Sequence, residues 1–397
     1  MPLPNPQIRR LYDIACKEKR TIIGLMSGTS LDGLDIALCA CTGSGKDTRI
    51  ELLQFATVAY DDDFKQEIRK IFSVGMVSLE TLCLLHPWVA RRHARLVLDQ
   101  LSGWNIATTE IDLLASHGQS IYHAPQSLHR QEKFGNATLQ IGDGDHLSVA
   151  TGIITISDFR QKHIAAGGEG APLAIYGDQV LFGHSTENRV MLNIGGIANF
   201  TWLPVPATNS RLLSTDTGPG NTMMDACMQK FFGQPFDEDG SVARSGTVHT
   251  GLLRELHRSS FFETPIPHTT GPELFNLDYL GRAMERADVQ ALPPADILAT
   301  LNIFTAETIA DAISQVTDGH EITVYVSGGG WHNKFLMEHL SHLLPKARFA
   351  DLDSLGISPD AKEAVLFAVL ANECVAGQFT DSMPLPAVHL GKISLPA

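Results

Sequence analysis

Two carboxylates stand where their surroundings suggest chemistry. Asp216 lies in Ser214-Thr215-Asp216-Thr217-Gly218-Pro219-Gly220-Asn221, between a short apolar run at 211–213 and a helix-like stretch at 222–232. A turn so rich in glycine can present a carboxylate in a cleft, where a general base must reach the proton it removes. Capping a helix is the plainer use of an Asp in this place, but Asn221 is available as the cap instead. Asp32 lies in Ser27-Gly28-Thr29-Ser30-Leu31-Asp32-Gly33, between apolar runs at 21–25 and 34–38. Glycines let a phosphate approach the backbone, hydroxyls donate hydrogen bonds, and a carboxylate holds Mg²⁺ directly or through water. The same residue types also build an ordinary hairpin loop, so this turn alone leaves both readings open.

Five polar, glycine-bearing turns each end an apolar strand: 27–33, 116–120, 193–199, 215–221 and 327–330. Phosphoryl transfer needs positioning and charge neutralisation, which backbone-lined turns and a metal-directing carboxylate supply. On this reading Asp216 is the base and Asp32 the metal ligand. The segment 165–172, AAGGEGAP, is either a hinge or a loop that touches a ligand backbone-first. Arg160 suits an anion or sugar contact, or a structural ion pair with Asp158. Glu363, in the first turn of a helix, either reaches a cleft or forms a salt bridge, and His117 is either a satisfied core histidine or a ligand contact. No G-x-x-x-x-G-K-[ST], no G-x-S-x-G and no nucleophilic cysteine context occur, and His339 and His342 lack a third ligand. The run at 328–330 is not G-x-G-x-x-G, which leaves a dinucleotide site as the weaker use of it.

The elements that must hold these groups follow from hydrophobic patterning. Residues 1–20 read as a loose polar extension, and the opening hairpin with the strand at 50–60 makes three antiparallel strands in series. Helices are expected at 64–72, 79–101, 222–232, 274–286, 294–316, 333–344 and 359–377, the last with Ser358 as N-cap and Pro359 at its first position. Short strands are expected at 111–115, 138–141, 153–156, 322–326 and 348–351. The stretch 190–203, VMLNIGGIANFTWL, repeats the strand–turn–strand logic of residues 22–38, which suggests two lobes of related build.

The 397 residues suffice for two domains, and 44% apolar with 19% charged residues is a globular composition. A formal charge of −14 argues against a nucleic-acid partner, though local donors can still hold a phosphate. Six cysteines without a C-x-x-C pair point to reduced thiols, no apolar h-region opens the chain, and no apolar run approaches a membrane span. A cytoplasmic protein with no membrane partner is expected.

The segments GLMSGTSLDGLD, ASHGQS, SDFR, AAGGEGAPL, LNIGGIANF, DTGPGN, DEDG and VSGGG, in this order from residue 22, together resemble the anhydro-N-acetylmuramic acid kinase family of the sugar kinase, Hsp70 and actin superfamily. The resemblance implies an α/β fold of two RNase-H-like lobes with a nucleotide cleft between them. It implies an N-terminal lobe over 20–160, completed by part of 365–397, and a C-terminal lobe over 161–364. Lobe closure on substrate is a superfamily expectation. It implies ATP and Mg²⁺ as cofactors, an anhydro-sugar as the small-molecule substrate, and it is compatible with a homodimer. Gly28, Thr29, Ser30, Leu31, Asp32, Gly33, Leu34 and Asp35 match the family's first phosphate loop, and Asn193, Gly195 and Gly196 the second. Gly328, Gly329 and Gly330 match the adenosine segment, while Ser116, His117, Arg160 and Glu363 match positions near the sugar. Asp216 matches a base that activates water for attack on the anomeric carbon, so that the 1,6-anhydro bridge opens as O6 takes the γ-phosphoryl group of ATP. The chain departs from the family pattern at Gln161, Glu169 and 174–178, near the sugar side. A kinase for another 1,6-anhydro sugar such as levoglucosan, and a non-catalytic actin- or Hsp70-like module, are the alternatives.

Overall fold

The computed structural model describes residues 5–170, 173–208, 210–289, 291–358, 360–377 and 388–397. Contacts divide the chain into two units, 1–181 with 360–397 and 182–359. Residues 161–181 therefore belong to the first unit, where the sequence had placed them in the second. The glycine segment 165–170 therefore lies within the first unit rather than at the division between the two, and Ala171 and Pro172 of that segment lie outside the described residues.

The first unit opens with a helix, Pro6–Ala15, where a loose extension was expected. The Asn5 side chain accepts from the Gln7 N–H and Pro6 occupies the first position, so the segment carries both start signals of a helix. Strands β1 (Lys19–Ser27), β2 (Gly33–Thr42) and β3 (Arg49–Ala59) form an antiparallel series. Strand β4 (Leu113–Ala124) runs parallel to β1, carries β5 (Ala137–Ile141) antiparallel, and is followed by β6 (Ile154–Ser157), parallel to β4. The fully buried β1 pattern Ile22–Ile23–Leu25 reflects cover on both faces. The helix Leu79–Gly103 buries Val89, Ala94, Val97 and Leu101 in the core with Leu34, Ile36 and Leu114.

The second unit repeats this plan. Strands β7 (Arg189–Ile194), β8 (Ile197–Leu203) and β9 (Leu213–Pro219) are antiparallel, and β10 (Ile322–Ser327) and β11 (Ala347–Asp351) follow parallel to β7 and to each other. The order β11-β10-β7-β8-β9 mirrors β6-β4-β1-β2-β3, so both units are RNase-H-like and the expected α/β fold of two related lobes holds. Helix Pro294–Thr317 is long and apolar enough by length and composition to cross a membrane, which the sequence had not suggested, yet 78% of its apolar window is buried within the protein. Its faces pack into two cores, Ile309 and Ile313 against the sheet and Leu298 and Phe304 against the helices around Met224 and Leu252.

The chain then returns to the first unit. Helix Lys362–Ala376 has Ala361 at its N-cap position, with no side-chain cap, where Ser358 was expected, and Pro359 lies outside the described residues. Strand β12 (Lys392–Ser394) pairs antiparallel with β6. Buried Arg20 ties the helix to β1, its Nε donating to Asn372 Oδ1 at 2.7 Å and its Nη2 to the Gly43 carbonyl at 2.6 Å. The helix backbone lies directly on the sheet at Gly24, where an added Cβ would sit 1.9 Å from the Ala364 carbonyl oxygen. A glycine inside a strand often marks such an approach of another backbone. Gly24→Ala should therefore lower stability by about 1–3 kcal/mol, the cost of overpacking, read as a reduced denaturation midpoint at unchanged slope.

Candidate functional site

In the first unit, the turn after β1 is built around Leu31. Its side chain is 3% exposed in the core although its φ is 58°, a left-handed conformation that costs a bulky residue energy. Burial of this one side chain pulls the turn down and leaves Thr29, Ser30 and Asp32 exposed on top. Asp32 Oδ1 accepts from Ser30 Oγ at 2.7 Å and from Gly33 N at 3.1 Å. The Ser30 hydroxyl, with the backbone donors, holds the Asp32 carboxyl below its ordinary pKa despite some desolvation, so it stays ionised. Oδ2 has no partner among the described residues. Asp35 differs: desolvation pushes its pKa up, against a 2.6 Å hydrogen bond from Thr57 Oγ1. Gly28 and Leu34 frame the turn at its two ends, Gly28 half-buried and Leu34 in the core.

Among the described residues no group of three or more His, Cys, Asp or Glu is placed to hold a metal. Mg²⁺ does not need such a group, since it binds through one or two carboxylates and completes its shell with phosphate oxygens and water. An ionised, exposed Asp32 with one unengaged oxygen fits that habit.

Ser116, His117 and Gln119 lie inside β4 rather than just past a short strand, because β4 outruns both parallel neighbours and goes on to pair with β5. His117 is 3% exposed, and Arg160 Nε donates to its Nε2 at 2.9 Å. Burial, reinforced by the Arg160 charge, pushes the His117 pKa down to about 3, so the ring is neutral and free to accept. Arg160 Nη1 also donates to the Gly170 carbonyl at 2.7 Å, while Gly170 N donates to His163 Nδ1 at 2.8 Å. Arg160 is thus braced by β4 and by the glycine segment, and Asp158 pairs instead with Lys392. Ser116, 1% exposed, accepts from Gly118 N at 3.2 Å. Glu363 is exposed in the first turn of its helix. Desolvation raises its pKa, Asp35 and Asp178 add to that, and Arg160 and Lys362 oppose it. Its exposed surface governs what can reach it, while crowding by neighbouring atoms sets the proton affinity. Arg160 therefore touches His117 directly, and its charge reaches Glu363.

The residues where this chain departs from the family pattern have local work. Gln161 Nε2 donates to the Thr138 carbonyl at 2.6 Å, and Asp178, 1% exposed, pairs with Lys362 Nζ at 2.7 Å. Glu169 is exposed.

In the second unit, Asp216 lies within β9, opposite Asn199 of β8, and not in the turn that follows. Its Oδ2 accepts from Thr270 N at 2.7 Å, and the Asp216 N–H donates to the His268 carbonyl at 3.0 Å, so strand and loop both fix it. Burial raises the Asp216 pKa, partly offset by the Thr270 N–H and the His268 side chain. No described residue bonds Oδ1. Three glycine turns interlock beside this strand. Gly220 N and Asn221 N donate to the Gly196 and Gly195 carbonyls, both at 2.8 Å, and a Cβ on Gly220 would lie 2.2 Å from the Gly195 oxygen. The Asn221 side chain does not cap its helix; it donates to the Ile194 carbonyl at 3.2 Å. Ser327 Oγ donates to Asn193 Oδ1 at 3.2 Å, and Gly328, at φ 82°, packs against the Ile194 carbonyl. Gly330 lies against the Ile194 side chain, and Gly329 begins a short helical turn. Asn193, Gly195, Gly196 and Gly328–Gly330 therefore form one backbone-lined patch.

Sequence reasoning missed Thr270 as the donor to Asp216. Gln119 stood in the ASHGQS segment without a role, and its side chain donates to the Gly28 carbonyl at 3.3 Å.

The family model described as Anhydro-N-acetylmuramic acid kinase matches residues 20–385. The chain is 54% identical over 399 residues to an anhydro-N-acetylmuramic acid kinase of Pseudoalteromonas atlantica, covering 99% of this chain and 100% of that one. It is 35% identical over 394 residues to an anhydro-N-acetylmuramic acid kinase of Caldanaerobacter subterraneus subsp. tengcongensis, covering 97% of this chain and 100% of the relative. A solved structure of the activator of the 2-hydroxyisocaproyl-CoA dehydratase from Clostridium difficile aligns at a TM-score of 0.38 and 12% identity, over 90% of this chain and 96% of that one, too loosely to carry an argument. With a family model matched over most of its length and relatives of full-length similarity, the chain belongs to the anhydro-N-acetylmuramic acid kinase family.

Proposed function

We propose that this protein is an ATP-dependent kinase that hydrolytically opens the 1,6-anhydro ring of anhydro-N-acetylmuramic acid and phosphorylates O6, giving N-acetylmuramic acid 6-phosphate. The observation that carries the reading is 54% identity, end to end, with a relative of that name. It is supported by an Asp216 whose free oxygen and raised proton affinity suit a general base.

Asp216 removes a proton from water as the water oxygen bonds to the anomeric carbon. The bond from that carbon to the bridging oxygen breaks, and the released O6 takes the γ-phosphoryl group, leaving ADP. Water, ATP and anhydro-sugar are consumed one for one. The 28–35 turn and the Asn193, Gly195 and Gly196 turn bind phosphates backbone-first, and Gly328–Gly330 take the adenosine. Asp32 would hold Mg²⁺, which neutralises charge on the phosphate oxygens. Arg160, braced by neutral His117, and Glu363 with Ser116 orient the sugar. The setting we propose is cytoplasmic, and a homodimer is to be checked by light scattering.

Turnover in ¹⁸O-water tests the reaction. One label should enter at the anomeric carbon for each ADP formed with anhydro-N-acetylmuramic acid, and little ADP should form with levoglucosan. Equal or faster turnover of levoglucosan would reverse the substrate assignment. A product without label would remove the hydrolytic step.

A further inference from the structure

A buried polar chain runs beneath the 28–32 turn. Ser27, Tyr60, His93 and Gln119 are 2%, 5%, 1% and 0% exposed, in the middle of an apolar core. Ser27 Oγ lies 2.7 Å from Tyr60 Oη and 2.5 Å from Gln119 Oε1, and Tyr60 Oη lies 2.9 Å from His93 Nε2. Gln119 Nε2 lies 3.3 Å from the Gly28 carbonyl and 3.2 Å from the Ser120 carbonyl. At the other end of the turn, the Tyr60 backbone N–H donates to the Asp32 carbonyl at 3.1 Å.

Hydrogen-bond capacity permits only one direction along this chain. Two carbonyls accept only, so the Gln119 amide nitrogen faces them and its oxygen faces Ser27. Ser27 must spend its single proton on that oxygen, so its own oxygen accepts from Tyr60. Tyr60 has then spent its proton and accepts in turn from His93, which must carry hydrogen on Nε2. His93 is neutral, because burial pushes its pKa down to about 3. Every link is fixed by the one before it.

We propose that Tyr60 and Gln119 are positioning residues for nucleotide binding, holding the two ends of the 28–32 turn through this one-way chain. Tyr60 grips Asp32 through its backbone and Ser27 through its hydroxyl, while Gln119 grips Gly28. The proposal rests on the reading of this turn as a phosphate loop. Since Ser27 ends β1 and Leu31 anchors the middle, Gly28 and Asp32 are the points where the turn would otherwise pivot.

Three measurements on the full-length enzyme decide it. Nitrogen-15 NMR of histidine-labelled wild-type protein should show His93 as the Nε2–H tautomer; an Nδ1–H tautomer overturns the chain without any variant. Gln119→Leu removes both the acceptor for Ser27 and the donor to Gly28, and Tyr60→Phe breaks the chain at its centre. Each should raise KM for ATP about tenfold, the cost of one buried group left unpaired, with KM for the sugar unchanged within twofold. A lower melting temperature with unchanged KM for ATP would make both residues merely structural. Asp32→Ala separates the two ways to fail. If it raises KM for ATP while Tyr60→Phe and Gln119→Leu do not, the positioning role alone is overturned. If none of the three moves KM for ATP, the phosphate-loop reading falls and the proposal with it.

Discussion

Asp216→Asn should lower kcat by about 10²- to 10⁴-fold, the usual contribution of a positioned general base, while KM for ATP and the melting temperature change little. The amide keeps the shape of the carboxylate, and its oxygen still accepts from Thr270 N. What is lost is the ability to take a proton at Oδ1. The pH profile provides a second check. Burial sets the Asp216 pKa above its ordinary 3.8, although Thr270 and His268 pull it back. Only the ionised form accepts a proton, so activity is full above the raised pKa and falls as pH drops through it. The acid limb of kcat should therefore lie above the range of a free carboxylate and should disappear from the residual activity of Asp216→Asn. Full activity in that variant, or an unchanged acid limb, would remove Asp216 from the reaction.

Strands and turns were legible where local signals were strong. The opening hairpin, the Gly195-Gly196 hairpin and the strand before Gly328 fell where apolar runs met glycine turns, and their repetition correctly announced two related lobes. Strand lengths were not legible, because pairing partners set them. Asp216 was expected beyond a strand ending at 213 and stands inside one ending at Pro219, since β8 supplies partners as far as Ile197. Ser116 and His117 shifted for the same reason. The helix Pro6–Ala15 was missed although Asn5 and Pro6 carry its signals, because three nearby prolines read as a loop. Side-chain partners were least legible. Nothing local links Ser27 to Gln119, 92 residues away, or Tyr60 to His93, 33 residues away, and only the fold brings them together.

The largest stability effect should come from Lys362→Met. Asp178 is 1% exposed, and the Lys362 ammonium 2.7 Å away is its charge partner, itself mostly covered. Removing one side of a buried ion pair typically costs about 3–5 kcal/mol, because the remaining charge has neither water nor a counter-ion. The pair as a whole is a different matter, since burying both charges also costs desolvation. Asp178→Asn combined with Lys362→Met should therefore recover much of the loss, and the non-additivity in a double-mutant cycle measures the coupling. Chemical denaturation of wild type, both single variants and the double variant tests this, and additive effects would show that the two charges do not depend on each other. The consequence reaches the site, because Glu363 follows Lys362 in the same helical turn and feels both Lys362 and Asp178. Without the Lys362 charge, the Glu363 carboxylate loses one of the two cations that favour its ionised form. Its pKa should rise further, and sugar binding should weaken at acid pH in Lys362→Met before the protein unfolds.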